Sequence, residues 1–173
     1  GATALLQGVD EQLHRHGYIA RGGQAIDATL VPAPRQHISK EDRQTLAEGQ
    51  QPSWSEAKRR QKDVNATYTK KHGKSYYGYK LSVSVDHKHG FIRGVATGTA
   101  SEHDGHHFDD VLDQYNTGKE VTADKAYTST QRREMLNALG FTNGVQRKAK
   151  AGKPLSECQN RRNQRKKKKR AKV

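Results

Sequence analysis

Tyr77, Tyr79, Leu81, Val83 and Val85 alternate with Gly78, Lys80, Ser82, Ser84 and Asp86. A sustained period of two excludes a helix, whose apolar positions would recur every three or four residues, and predicts a half-buried strand. Asp86-His87-Lys88-His89-Gly90 reads as a turn, and Phe91 to Thr99 as the returning strand. A lone hairpin is marginal in water, so this one needs a larger sheet or packed helices.

The rest of the chain supplies both. Ala2 to His16 reads as a helix with Leu5, Leu6, Val9 and Leu13 on one face, broken by Gly17 and Gly22-Gly23. Gln24 to Val31 is a short, mostly apolar strand with Asp27 in its middle, ended by Pro32 and Pro34. Arg35 to Ser75 is a long polar excursion, with short helices expected at Ser39 to Glu48 and Ser53 to Lys62. Asp104 is the expected N-cap of a helix carrying Phe108, Val111, Leu112 and Tyr115. Lys119 to Ala123 is a strand ending at Asp124. Thr128 and Gln131 have capping-box spacing before a helix with Met135, Leu136 and Leu139. Phe141 to Gln146 is a last strand, and Leu155 onward a basic helix or arm. This order predicts an α/β fold, a mixed sheet with flanking helices of ribonuclease H-like type.

Charge narrows the partner. The 173 residues carry a net charge of +14, and only 31% are hydrophobic. Arg147 to Val173 hold thirteen of the 32 Lys and Arg with a single acid, Glu157, so the excess charge lies in a C-terminal basic arm. Such an arm seeks a polyanion, nucleic acid by default. Arg161, Arg162, Arg165, Lys166, Lys167, Lys168, Lys169 and Arg170 are its candidate DNA contacts. The arm lacks interleaved aromatics, which argues against sequence readout. The single cysteine, Cys158, excludes an internal disulfide and a cysteine-only zinc site, and fits a reducing cytoplasm. No apolar run reaches the ~20 residues of a membrane span.

Two acids stand out. Asp27 lies mid-strand and Asp124 at a strand end, each among apolar neighbours. Buried carboxylates are costly unless paired or bound to a cation. Two brought side by side repel unless a divalent metal joins them, and Mg²⁺ accepts one or two carboxylates with phosphate oxygens completing its shell. The plain alternative is that each faces solvent or makes a strand-end hydrogen bond. His103, His106, His107 and Asp104 read as solvated side chains at a helix start before they read as a zinc site. Trp54 reads as a loop anchor before it reads as a base-stacking platform beside Lys58, Arg59 and Arg60.

Four segments resemble DDE-class transposases of bacterial insertion sequences. Ile26-Asp27-Ala28-Thr29 is similar to the first-aspartate motif. Tyr76-Tyr77-Gly78-Tyr79-Lys80 with Val85-Asp86 resembles the second strand. Ala100-Ser101-Glu102-His103-Asp104 resembles the loop before the first helix, and Thr122-Ala123-Asp124-Lys125-Ala126-Tyr127 the second-aspartate motif. The likeness runs from about Gln24 to Val173 and is nearest insertion-sequence family five, within the family-four superfamily. It implies a catalytic domain at 24–173 with basic arm 147–173, preceded by a helical segment at 1–23 that ends an upstream region. It implies catalytic Asp27 and Asp124 holding two Mg²⁺ or Mn²⁺ ions, and metal-dependent cleavage and strand transfer at element ends. The partners implied are double-stranded DNA (transposon ends and target), no membrane, and, left open, a second copy of the chain on DNA. The place implied is the bacterial cytoplasm, at the nucleoid.

The family's third carboxylate is a Glu on a basic helix, after an Arg-x-Arg/Lys-Val pattern. Arg170-Ala171-Lys172-Val173 fits that pattern up to the last residue, so the expectation is a chain truncated before its catalytic Glu and inactive alone. Glu134 and Glu157 are weaker candidates for the vacancy. The competing readings are a ribonuclease H-like metal nuclease that cuts without joining, and a non-catalytic nucleic-acid-binding remnant.

Overall fold

The computed structural model describes every residue except Ile19, Ala20, Arg21, Arg35 and Thr117, and, for Ala2 and Thr3, the backbone alone. Six strands form one mixed sheet in the order β2-β3-β1-β5-β6, with β4 paired to β3. They are β1 (Gln24–Pro32), β2 (Thr67–Lys71), β3 (Lys74–Asp86), β4 (Ile92–Thr99), β5 (Glu120–Thr122) and β6 (Thr142–Asn143). The helices are α1 (Ala2–Arg15), α2 (Lys40–Ala47), α3 (Glu56–Arg60), α4 (Phe108–Val111), α5 (Thr130–Ala138) and α6 (Glu157–Arg170). The chain divides into two compact units, and β1 and β3 each run through both.

The larger unit comprises Gly1–Thr29, Leu81–Thr97 and His103–Val173. Parallel pairing of β1 with β5 and of β5 with β6 makes its floor. Ile26, Val121 and Ala123 from the strands pack against Phe108, Val111, Tyr127 and Leu136 from the helical side. The contact is close at Gly94, where a Cβ would strike the Val111 carbonyl, so any side chain there would push α4 off the sheet.

The alternation along β3 marks a strand, but its faces are not ranked as expected. Lys80, Ser82, Ser84 and Asp86 are the buried set, whereas Tyr79, Leu81, Val83 and Val85 are only half-buried. β3 has partners on both edges, and one of its faces is buried while the other is half-buried. Most of its buried polar side chains are paired, the exception being the Ser82 hydroxyl, which has no partner among the described residues. Within the larger unit, the Ser84 hydroxyl donates to Gln24 Oε1 at 2.8 Å. Asp86, fully buried, accepts from the amides of Lys88, His89 and Phe91 and lies 3.7 Å from Arg93 Nε. Arg93, itself 1% exposed, also donates to Asp10 of α1 and to the Tyr18 carbonyl.

The helix expected after Asp104 is a single turn that starts after His107, not Asp104, and Tyr115 is exposed. The cause is Gln24: its amide donates to the Asp113 carbonyl and accepts from the Asp113 amide, at 2.8 and 2.9 Å. That two-point bond draws the chain onto β1 and ends α4. The cap of α5 is Ser129, not Thr128, whose hydroxyl donates instead to the Gln146 carbonyl. The face expected on α1 is largely exposed at Leu5 and Val9.

The smaller unit comprises Leu30–Lys80 and Gly98–Glu102. It contains a hairpin that sequence reasoning missed, β2 antiparallel to β3 around His72-Gly73. Asp63 organises it, accepting from the Asn65 and Ala66 amides and the Tyr79 hydroxyl. The Tyr79 bond holds Asp63 below the usual carboxylate range and pushes Tyr79 up to about 12. Gly78 (φ 151°) passes so near Val31 that a Cβ would meet its carbonyl oxygen. Trp54 is a buried anchor donating to Asp42 at 3.0 Å, which removes the base-stacking alternative.

Candidate active site

β1 and β5 run in parallel with Gln24 opposite Val121 and Ala25 opposite Thr122. Asp27 follows two residues after Ala25 on β1, and Asp124 two residues after Thr122, where β5 ends. Asp27 is exposed rather than set among apolar side chains, and its Oδ1 accepts from the amide of Ala28, at 3.0 Å. Ionised carboxylates here need not pay a burial cost, so accessibility, not desolvation, suits them to a cation. Asp124 is half-exposed and caps the 3₁₀ turn Lys125–Tyr127, accepting from the Ala126 amide at 2.6 Å. One oxygen of each Asp thus fixes the local backbone, which orients the carboxylate.

Tyr127 is the centre that sequence reasoning missed. It is 1% exposed, and its hydroxyl has no hydrogen-bond partner among the described residues. Burial raises its pKa well above the ordinary value; Asp104, Asp27 and Asp124 raise it further and Arg170 opposes them. The charges that act on this one hydroxyl thus come from three acids and from Arg170, the last arginine of the sequence. Among the described residues no three His, Cys, Asp or Glu side chains gather as a metal cluster. What is shown is that Asp27, Asp104 and Asp124 all act electrostatically on the Tyr127 hydroxyl, and carboxylates, water and phosphate oxygens are the ligands Mg²⁺ takes.

Arg132 supports this arrangement from behind. It donates to the carbonyls of Tyr127 (2.5 Å) and Gly105 (2.8 Å), and lies 4.4 Å from the centre of the Phe108 ring. It ties the loop after Asp104 to the turn after Asp124. Nothing in its helical context singled it out.

The other candidates fall apart or change role. The His103 ring accepts from the Gly105 amide, and His107 pairs with Asp110, so the histidines do not converge on a zinc site. Glu134 is exposed, and Glu157 is 92% exposed and 3.6 Å from Arg161. Of the eight basic candidates on α6, Lys166 is a fold element: its ammonium donates to the carbonyls of Asn143 and Val145. Burial, then Arg147, holds its pKa below the ordinary lysine value. Lys169 pairs with Glu120, and one Arg170 nitrogen is buried. Arg161, Arg162, Arg165, Lys167 and Lys168 are exposed. Among the described residues no helix is long and apolar enough to cross a membrane.

Residues 20–173 match the family model described as "Transposase DDE domain". Over 163 residues the chain is 29% identical to the transposase for insertion sequence element IS1106 of Neisseria meningitidis serogroup B, a match covering 93% of this chain and 55% of that protein. The chain thus spans about half the length of the curated relative. No solved structure matches it.

Proposed function

Because this chain belongs to the transposase DDE domain family, we propose that it carries the carboxylate pair of an insertion-sequence transposase, of insertion-sequence family five by the order of its motifs. The observation that supports this is the parallel β1–β5 register, Gln24 opposite Val121 and Ala25 opposite Thr122, with Asp27 and Asp124 each two residues further along the chain. They would hold two Mg²⁺ or Mn²⁺ ions. Bound there, the metals would activate the attacking oxygen and steady the leaving oxygen of a phosphodiester. Water would be the first nucleophile at the element end, and the freed 3′-hydroxyl the second, on target DNA.

The chain's own residues do three things. Asp27 and Asp124 supply negative charge at fixed positions, because each is also bonded to a backbone amide. The Tyr127 hydroxyl, buried and without a partner among the described residues, feels the charge of both aspartates and of Asp104. Arg132 holds the backbone of both flanking loops. Placement governs two-metal chemistry, where a displacement of about 1 Å can cost a hundredfold. Among the described residues no third acid joins the pair, so the chain by itself is expected to cut slowly. Duplex DNA at element ends and at the target is the proposed substrate, within the bacterial cytoplasm at the nucleoid, and a homodimer on DNA the proposed assembly.

Calorimetric titration with Mn²⁺ tests the site independently of turnover. Asp27→Asn and Asp124→Asn should each abolish most of the binding heat; retained binding in both would refute the assignment. A strand-transfer assay with 3′-hydroxyl element ends then separates a transposase from a nuclease that only cuts.

A further inference from the structure

At the end of the turn that Asp124 caps lies a groove of about 710 Å³, formed by the start of α5, the end of β6, the loop between Arg147 and Ser156, and α6. Every residue that lines it belongs to the larger unit. Seven Lys and Arg line it and no Asp or Glu does. Arg132 and Lys166 have N–H donors bound to backbone carbonyls. Arg133, Arg147, Lys148, Lys150 and Lys153 are exposed, with no carboxylate partner among the described residues. On α6, Lys169 is neutralised by Glu120 and Arg161 lies beside Glu157, while Arg162, Arg165, Lys167 and Lys168 are exposed but do not line the groove.

We propose that this groove, rather than the outward basic run of α6, is the track for the phosphate backbone of the DNA strand next to the scissile phosphate. This rests on the DNA reading above. Its lining begins at Tyr127 and Thr128, the residues that close the turn opened by Asp124. A strand held with one phosphate at the carboxylate pair therefore passes directly into a cationic trough. Point charges on flexible stems recognise phosphates without reading bases, and each neutralised phosphate adds a counterion-release contribution. Tyr127, the one aromatic in the lining, is buried in the core and leaves no face for a base. The track is therefore indifferent to sequence.

The test uses the whole chain in EDTA, so that cutting plays no part, and a fluorescent random-sequence duplex titrated over a range of salt. One variant combines Arg147→Gln, Lys148→Gln, Lys150→Gln and Lys153→Gln; the other combines Arg161→Gln, Arg162→Gln, Lys167→Gln and Lys168→Gln. Both remove the same charge from exposed positions, and circular dichroism verifies that each is folded. The groove variant should bind about tenfold or more weakly at ~0.1 M salt and lose roughly 2–4 units of the slope of log affinity against log salt, at about 0.9 per phosphate. The α6 variant should lose less than half as much. Equal losses, or a larger loss from α6, overturn the groove while leaving DNA binding intact. A wild-type chain that fails to bind the duplex overturns the DNA reading and the groove together.

Discussion

Arg132→Ala should destabilise the larger unit by about 3 kcal/mol. The side chain makes two charge-assisted bonds, to Tyr127 O and Gly105 O, each worth roughly 1.5–3 kcal/mol. Its guanidinium over the Phe108 ring adds about 1 kcal/mol. Against these stands Nε, buried without a partner among the described residues, whose removal returns about 1–3 kcal/mol. The bonds exceed the orphan, so the net sign is destabilising. At about 2–4 °C per kcal/mol for a chain of this size, the melting midpoint should fall roughly 6–12 °C. Calorimetry with far-ultraviolet circular dichroism is the assay, because Trp54 lies in the smaller unit and its fluorescence would report that unit. Arg132→Lys keeps the charge but not the fork, and should recover less than half of the loss. A change below about 0.5 kcal/mol for Arg132→Ala would mean that the two loops are held by something else.

Three further outcomes are expected. Tyr127→Phe removes a buried hydroxyl that has no partner among the described residues, so without metal the thermal midpoint should stay level or rise; a drop of several degrees would reveal a bond the geometry does not show. His87 is half-buried with its Nε2 2.9 Å from Thr122 Oγ1, and burial followed by Lys169 holds its pKa below the ordinary 6.5. Its contribution to stability is therefore full above about pH 6.5 and is lost as pH falls through the lower folded value; His87→Gln should flatten that part of the stability–pH curve measured by urea unfolding, and an unchanged slope would contradict it. Gly78→Ala, at φ 151° and against the Val31 carbonyl, should cost more than about 2 kcal/mol by the same urea titration, and near-neutrality would show that the close approach is relaxed in solution.

Much of the architecture was legible because it rests on periodicity and on punctuation by Gly and Pro. The strand order around Asp27 and Asp124, the β3 hairpin and α6 are of this kind. What was hidden depends on contacts between distant residues. The depth of each β3 face is set by Gln24, Arg93 and the strands alongside, and a period-two pattern does not say which face is covered more. The length of α4 is decided by one glutamine 89 residues upstream of Asp113. At the candidate site the two aspartates were marked by their strands, but Tyr127 and Arg132 are recognisable only once the turns after Gly105 and Asp124 come together. The hairpin β2–β3 was concealed because Thr67 to Lys71 is polar at every position but Tyr68 and carries its pairing through the backbone.

The Arg93 junction gives α1 a significance that its exposed leucine and valine conceal. A helix with so little apolar cover would ordinarily fray, and its amides would exchange with solvent within the dead time of a deuterium experiment. Yet its Asp10 is one of two carboxylates facing a guanidinium that water cannot reach, and removing one partner of a buried ion set is strongly destabilising. Peeling α1 away would leave that cation short of countercharge, with Asp86 alone beside it. The amides around Asp10 should therefore show deuterium protection that falls with denaturant in step with β3 and β4, making the first helix a reporter of the hairpin's own opening.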